Sequence, residues 1–359
     1  MKIAVILFNL GGPDSTAAIR PFLTNLFRDP AIIGAPGFIR LPLAHWIAAR
    51  RAPVAAEIYG RIGGRSPILP QTAAQAQALT AVLQAHRPGD ELQSFVCMRY
   101  WHPMSDAVAA DVLRWHPDRI VLLPLYPQLS TATSVSSVAD WTRAARRAGL
   151  RVPTQTVCCY FSERGLVAAA VDLIRPVLAD ARQDGPVRLL FSAHGLPKRT
   201  VARGDPYQWQ VEQTAQAIAA ALGVPDLDWR VCYQSRVGPL AWIEPSTEHE
   251  IRRAAADKRS LVIFPVAFVS EHSETLVELD IEYADLARRL GVPGYRRVPT
   301  LGTAVPFIDG LARLVEAALA DDAPNPLNDG SIAACPQQHA RCPRLRPPGD
   351  PFAECRAGT

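Results

Sequence analysis

Short apolar runs alternate with longer amphipathic stretches along most of this chain. The runs at residues 2–8, 92–96, 119–125, 154–158, 187–191, 229–232 and 261–264 have the length and apolar character of buried strands. Helical periodicity predicts helices at 15–26, 71–86, 106–115, 135–148, 162–181, 206–222, 247–256, 274–290 and 304–319. Strands that alternate with helices in this way predict an α/β fold, in which parallel sheets are covered by helices on both faces.

The alternation runs through two series, which predicts two lobes with a cleft between them. We place the N-terminal lobe at residues 1–160 and the C-terminal lobe at 161–320, whose final helix can cross back over the first lobe. Residues 321–359 are rich in Pro, Asp, Asn and Arg and have no apolar periodicity, as in a disordered tail. The cysteines of this tail nevertheless predict that something holds it in place.

Composition and charge exclude several classes of function. The 359 residues are 48% hydrophobic and 20% charged, and the net charge of +4 is too small to favour nucleic acid as a partner. The chain opens on a strand rather than a signal sequence, and no apolar run of about 18 residues occurs, so we expect a cytoplasmic location. Residues 31–49 are apolar but broken by prolines. They predict either a buried or lid-like helical loop, or an exposed lip that contacts a membrane surface or an apolar ligand.

Candidate catalytic groups lie directly after two strand-like apolar runs, at residues 187–191 and 261–269. Ser-Ala-His-Gly-Leu-Pro occupies 192–197, and an acidic segment occupies 270–283. Residues just past the carboxyl ends of strands in an open sheet face a ligand crevice, so we expect His194 and Glu274 to share one cleft. An imidazole and a carboxylate together can bind a divalent metal or transfer protons near neutral pH.

Two further carboxylates continue the series that Glu274 begins. Glu278 and Glu282 follow it at i+4 and i+8, which stacks three acids on one face of a helix. The positive end of a helix can account for Glu274 but not for Glu282, which is two turns further on. We therefore predict that this row marks a route for a metal ion or for protons.

Arginine, aromatic and hydroxyl side chains follow two other strands. The segment 98–103 contains Arg99 and Tyr100, and the segment 233–242 contains Ser235 and Trp242. Such groups suit a large planar ligand that carries carboxylates, with ordinary core aromatics as the alternative interpretation. The glycine-rich segments 9–14 and 61–67 fit neither a dinucleotide-binding nor a P-loop pattern, so we predict no nucleotide.

Taken together, these motifs resemble the ferrochelatases, enzymes that insert ferrous iron into a porphyrin. The resemblance runs from residue 3 to about residue 319. It rests on motifs that occur in order at 9–13, 59–64, 98–103, 125–128, 192–197, 203–207, 233–239 and 270–283. One such motif alone would be weak support, whereas the ordered set is specific.

The resemblance implies two Rossmann-like lobes, each with a four-stranded parallel sheet, and a lyase that makes haem with release of two protons. It implies protoporphyrin IX as the most favoured substrate. His194 and Glu274 match the metal-site pair of the family. The positions that match the porphyrin cleft are Leu10, Arg61, Arg99, Tyr100, Ser235 and Trp242. Whether His194 takes a pyrrole proton or holds the incoming iron stays open, as does the oligomeric state.

The tail cysteines have three interpretations. Some ferrochelatases bind a two-iron two-sulfur cluster through a C-terminal group of cysteines and one distant cysteine. By that resemblance Cys335, Cys342 and Cys355 would be joined by Cys158, since it and Cys159 point to opposite faces of a strand. Zinc bound by these three tail cysteines and His339 is a second interpretation, and reduced thiols without a metal are the third. Cys97 and Cys232 end strands and are expected in the core.

Three other functions compete with iron insertion into protoporphyrin. Coproporphyrin could be the porphyrin substrate, and another divalent metal such as cobalt could be inserted, since imidazole and carboxylate accept many metals. Outside enzymes, a tetrapyrrole carrier would need the same apolar and basic groups. The carboxylate row argues against a carrier, because a carrier needs no route for a metal.

Overall fold

The computed structural model describes residues 1–236, 238, 240–320, 327–328, 336 and 338–341. These divide into two compact units, Met1–Tyr160 together with the chain from Leu311, and Phe161–Gly310. The final helix crosses the boundary between the two units at Gly310 and Leu311.

The secondary structure alternates as the apolar pattern predicts. The strands are β1 (Lys2–Asn9), β2 (Glu91–Met98), β3 (Arg119–Pro124), β4 (Thr154–Cys159), β5 (Val187–His194), β6 (Trp229–Gln234), β7 (Ser260–Pro265), β8 (Tyr295–Arg297) and β9 (Leu327–Asn328). The α-helices are α1 (Ile19–Phe27), α2 (Gly37–Gly60), α3 (Ile68–His86), α4 (Ser105–Trp115), α5 (Ser136–Ala148), α6 (Arg164–Ala181), α7 (Lys198–Ala202), α8 (Tyr207–Leu222), α9 (Thr247–Ala256), α10 (Ala284–Arg289) and α11 (Val305–Ala320). Two π helices, Thr131–Val135 and Glu274–Tyr283, interrupt this series.

The first unit contains a parallel sheet in the order β2-β1-β3-β4-β9. Strand β1 lies in its interior, and residues 3–8 have at most 1% of their surface exposed. Such burial on both faces explains why this strand reads as a continuous apolar run. The expected four strands are joined by β9, which pairs with Val157 and Cys159 of β4. This fifth strand was not predicted, because the tail has no apolar run to indicate it.

The second unit contains a parallel sheet in the order β6-β5-β7-β8. The central strands β5 and β7 are almost completely buried, whereas β8 is a three-residue edge strand. Strand β8 was not predicted, because so short a run carries no periodicity. Each fully buried Leu or Ile of such a core contributes about 1.5–3 kcal/mol of transfer free energy.

Two local expectations were wrong. The strand predicted over 187–191 is longer than expected, because Ser192 and Ala193 continue the pairing of β5 with β6 as far as His194. The single helix predicted over 274–290 is a π helix followed by α10. Both differences lie beside the predicted catalytic groups and determine where those groups point.

The apolar stretch at 31–49 also differs from a buried loop. Most of it belongs to α2, a 24-residue helix that contains Pro42 and Pro53. Phe38 is 79% exposed and Trp46 57% exposed, so the helix presents apolar side chains to solvent. Within the described residues, no helix is long and apolar enough to cross a membrane.

Candidate active site

His194 is the last residue of β5, at the carboxyl edge of the second sheet. It pairs in register with Gln234, the last residue of β6. Its Nδ1 lies 2.6 Å from the carbonyl oxygen of Gly195, and a carbonyl oxygen can only accept a hydrogen bond. Nδ1 therefore carries the hydrogen of the neutral ring. Nε2 is left with a lone pair that can accept a proton or bind a metal ion.

Glu274 lies opposite this lone pair. It is the first residue of the second π helix, and its Oε2 is 3.8 Å from Nε2 of His194. The two side chains are 38% and 26% exposed, so both can be reached from solvent. Gln234 donates to the backbone carbonyl of Glu274 at 2.9 Å, which attaches the start of the π helix to the end of β6. The structure thus brings together the two groups that the motifs single out.

Glu278 follows on the same π helix and accepts four hydrogen bonds. Its Oε1 accepts from the backbone N–H of Ser235 at 2.8 Å and from the hydroxyl of Tyr283 at 2.9 Å. Its Oε2 accepts from Nε2 of Gln234 at 3.0 Å and from the hydroxyl of Ser235. Burial and the nearby charge of Glu274 raise the pKa of Glu278 in spite of these donors. Glu278 therefore holds a proton at a higher pH than an exposed carboxyl does, and Glu282 beyond it is exposed.

The backbone at Ser235 explains how one residue donates twice. Its φ of 61° lies in the left-handed region, which non-glycine residues rarely adopt. In this conformation both the N–H and the hydroxyl reach the carboxylate of Glu278. Such strain is characteristic of functional sites.

Trp242 and Gly195 complete the surroundings of the imidazole. The rings of Trp242 and His194 are tilted with centroids 6.5 Å apart. A Cβ added to Gly195 would lie 3.1 Å from the carbonyl oxygen of Gln234 and 3.2 Å from the Trp242 ring. Glycine is therefore the residue that allows this close approach.

His272 is a candidate site residue that the sequence analysis did not assign. It is buried, its ring lies 4.6 Å from that of Phe268, and its Nδ1 has no hydrogen-bond partner among the described residues. Burial lowers the pKa of His272, although Glu274 and Glu271 oppose this shift. The signal was present in the sequence, since His272 lies two residues before Glu274 in the acidic motif.

Two of the predicted porphyrin-binding residues in the first unit are held by Asp29. The guanidinium of Arg99 donates to Oδ2 of Asp29 at 2.7 Å, and the hydroxyl of Tyr100 donates to the same oxygen at 2.8 Å. Ser136 donates to it as well, and also accepts from Nε of Arg99. Tyr100 is fully buried and Asp29 is 4% exposed. Arg99 and Tyr100 are thus committed to a buried network that the spacing of the sequence did not indicate.

Leu10 and Arg61 lie elsewhere in the same unit. The backbone carbonyl of Leu10 accepts from the N–H of Tyr100 at 3.0 Å, and its side chain packs against the cluster that contains Tyr100. Arg61 follows the last turn of α2, and its guanidinium reaches Glu57 at 3.4 Å. The side chain of Arg61 is 40% exposed and that of Arg99 14%, so Arg61 is more accessible to a ligand than Arg99.

The cysteines fall into two sets. Cys97 and Cys232 are core residues as expected, and burial raises the pKa of each thiol to about 12. Cys158 and Cys159 are also buried, in the part of β4 that pairs with β9. The three tail cysteines, Cys335, Cys342 and Cys355, lie outside the described residues. Among the residues that the structure does describe, no group of three His, Cys, Asp or Glu side chains is arranged to hold a metal ion.

The fold is similar to that of a chelatase of known structure. A sirohydrochlorin chelatase from Bacillus subtilis subspecies spizizenii, solved in complex with cobalt, is similar to it with a TM-score of 0.51 and 12% identity. The similarity covers 90% of this chain and 97% of the other. At this level of identity the comparison establishes the fold alone.

Sequence comparison establishes the family. The ferrochelatase family model matches residues 2–319. A ferrochelatase of Caulobacter vibrioides (strain NA1000 / CB15N) is 52% identical over 342 residues, which cover 95% of this chain and 97% of the relative. A ferrochelatase of Pelagibacter ubique (strain HTCC1062) is 46% identical over 345 residues, covering 96% and 99%. The chain belongs to the ferrochelatase family. It is an enzyme that inserts a metal ion into a porphyrin to make haem.

Proposed function

We propose that the chain inserts Fe²⁺ into protoporphyrin IX, and that His194 accepts the protons that leave the pyrrole nitrogens. The observation that carries this proposal is the lone pair on Nε2 of His194, with a carboxylate oxygen of Glu274 3.8 Å away. The imidazolium formed by proton transfer would be stabilised by that carboxylate. For each Fe²⁺ that enters, two pyrrole protons leave, so charge and atoms balance.

Glu278 and Glu282 are proposed to carry protons away rather than to deliver iron. Both oxygens of Glu278 are already occupied by two donors each, which leaves little room for a metal ion. Its raised pKa suits a group that takes up a proton and releases it again. Glu282 is exposed and would pass the proton to solvent.

The choice of protoporphyrin is supported by the arginines of the first unit. Arg99 already pairs with Asp29, which leaves Arg61 as the more accessible of the two predicted carboxylate partners. Coproporphyrin carries two more carboxylates than protoporphyrin. An unpaired carboxylate would cost more than about 1.4 kcal/mol to desolvate, which corresponds to a factor of about ten in affinity.

Anaerobic incubation with Fe²⁺ and each porphyrin, followed by absorbance, tests the proposal. We expect kcat/KM for protoporphyrin IX to exceed that for coproporphyrin by about tenfold or more. Faster turnover of coproporphyrin would contradict the proposed substrate, and faster insertion of Co²⁺ than of Fe²⁺ would contradict the proposed metal. Binding of a porphyrin without any insertion would instead favour a tetrapyrrole carrier.

We further propose that Cys158, Cys335, Cys342 and Cys355 hold a two-iron two-sulfur cluster. The support is the pairing of β9 with β4, which attaches the beginning of the tail beside Cys158 and Cys159. Thiolates are the usual ligands of such clusters, and a buried position protects a cluster from solvent. The cluster would fasten the tail to the first sheet.

The exposed face of α2 is proposed to contact an anionic membrane surface. Phe38, Trp46 and Val54 are 79%, 57% and 61% exposed, and Arg50 lies over the ring of Trp46 with its Cζ 5.2 Å from the ring centroid. Exposed aromatic side chains beside arginines suit the interface of a bilayer that carries negative charge. An apolar substrate and product would also be exchanged there more readily than through water.

Co-sedimentation with phosphatidylcholine vesicles, with and without phosphatidylserine, measures this contact. We expect binding that needs phosphatidylserine and that is lost when Phe38 and Trp46 are both replaced by serine. Leu113→Ser, which changes an exposed leucine on α4, serves as the matched control. Equal sedimentation of the double variant and the control would contradict the proposal.

A further inference from the structure

The second π helix is held from both edges of the sheet below it. In the strand order β6-β5-β7-β8, the strands β6 and β8 are the two edges. On the β6 side, Gln234 and Ser235 bind Glu274 and Glu278. On the β8 side, the hydroxyl of Tyr295 donates to the backbone carbonyl of Leu279 at 2.6 Å.

Arg297, two residues after Tyr295, provides the strongest contacts on the β8 side. Its Nε and Nη2 donate to the two carboxylate oxygens of Asp280, each at 2.6 Å. Its Nη1 donates to Oε1 of Glu271 at 2.6 Å. A bidentate guanidinium–carboxylate pair determines orientation as well as distance. One guanidinium thus joins the segment before the π helix to a residue inside it.

The Arg297–Glu271 pair is shielded from water, whereas Asp280 at the other end of the guanidinium is 34% exposed. The side chains of Arg297 and Glu271 are each 12% exposed. Burial by itself would raise the pKa of Glu271, but the charge and hydrogen bond of Arg297 together with the hydrogen bonds from Thr275 and Thr300 lower that pKa overall. The same Oε1 of Glu271 also accepts from the backbone N–H of Thr300 at 3.0 Å. The ion pair is therefore part of a fixed local structure rather than a mobile surface contact.

A π helix needs such support more than an α-helix does. Its i→i+5 hydrogen bonding is rare, and it occurs mostly as short insertions at functional sites. Glu274 and Glu278 lie on this helix, between its attachments to β6 and β8. A small change in its path would move their carboxylates away from His194 and Ser235.

We propose that Arg297 is a positioning residue for metal insertion, which holds the π helix so that Glu274 faces His194 and Glu278 faces Ser235. Arg297 acts through Glu271 and Asp280. The proposal rests on the proposed roles of His194 and Glu274. It adds that metal insertion requires the guanidinium of Arg297, which contacts Glu271 and Asp280.

Arg297→Gln tests this requirement, with Arg296→Gln as the matched control. Arg296 is the neighbouring arginine, but it pairs with Asp180 and Asp184 and, within the part of the chain that the structure describes, makes no ion pair with the π helix. We expect kcat of Arg297→Gln to fall by about 10²-fold, the cost of misplacing a catalytic group by roughly 1 Å, while KM for the porphyrin stays nearly unchanged. Arg297→Lys should recover only part of kcat, because an ammonium cannot form the bidentate pair.

Hydrogen exchange gives a readout that does not depend on activity. The amides of 274–283 should exchange faster in Arg297→Gln than in Arg296→Gln, while those of β5 stay equally protected in both. If Arg297→Gln does not fold, Asp280→Asn is measured in its place. It weakens the bidentate pair but keeps the bond to Glu271, so a smaller fall in kcat is expected.

The outcomes separate this proposal from the one on which it rests. Loss of turnover in His194→Ala together with normal kcat in Arg297→Gln would overturn the positioning role alone. Retained turnover in His194→Ala would overturn the proposed catalytic site itself. A raised KM with unchanged kcat in Arg297→Gln would also overturn the positioning role, because it would make Arg297 a binding residue.

Discussion

Replacing His194 with alanine abolishes metal insertion and leaves porphyrin binding largely intact. The substitution removes the Nε2 atom that lies 3.8 Å from Oε2 of Glu274. General acid–base catalysis contributes about 10²–10⁴-fold, so kcat should fall by at least that range. Porphyrin binding should persist, because the aromatic and arginine groups predicted to hold the macrocycle are unchanged.

Two measurements check this prediction. Stopped-flow absorbance under anaerobic conditions gives kcat, and quenching of tryptophan fluorescence gives the porphyrin Kd. His249→Ala is the matched control, since His249 is an exposed histidine on α9 of the same unit. Turnover of His194→Ala within a few-fold of the control would show that another group accepts the protons.

Replacing Cys158 with serine removes the visible absorption of the purified protein. A two-iron two-sulfur cluster needs four ligands, so loss of one thiolate is expected to remove the cluster completely rather than in part. Freshly purified parent protein should be red-brown and lose this colour on reduction. Iron and acid-labile sulfide should fall to background in the variant.

Cys159→Ser is the control for this second prediction. Cys159 is the neighbour of Cys158 on β4, is equally buried, and points to the opposite face of the strand. The control should keep its colour. A colourless parent protein that contains zinc would support the zinc interpretation. Loss of colour in Cys159→Ser with retention in Cys158→Ser would assign the distant ligand to Cys159.

Most of the architecture was predictable because it is encoded by local periodicity. Strand β1 is a continuous apolar run, and helix α9 begins and ends at the predicted residues 247 and 256. Strand β5 was predicted to end at Phe191, the last residue of its apolar run. Pairing with β6 extends β5 to His194. This extension depends on the neighbouring strand and is not encoded in the apolar run of β5.

The network around Arg99 could not be predicted in the same way. Asp29 is separated from Arg99 by 70 residues and from Ser136 by 107. No sequence motif around Asp29 indicates that it contacts either residue. In the sequence alone, Arg99 is an arginine next to aromatic residues, and this pattern favours a ligand-binding role. Burial against Asp29 changes that interpretation, because a guanidinium already paired in the protein interior has fewer donors to offer a substrate.

The sequence by itself determined the two parallel sheets, the family, and the presence of His194 and Glu274 in segments that follow apolar runs of the second unit. These follow from apolar periodicity and from ordered motifs, which are local properties of the chain. Only the tertiary structure decided that Glu274–Tyr283 is a π helix, which nitrogen of His194 presents a lone pair, and that Arg297 holds the helix from behind. Each of these depends on contacts between residues far apart in the chain, and such contacts exist only once the strands have paired.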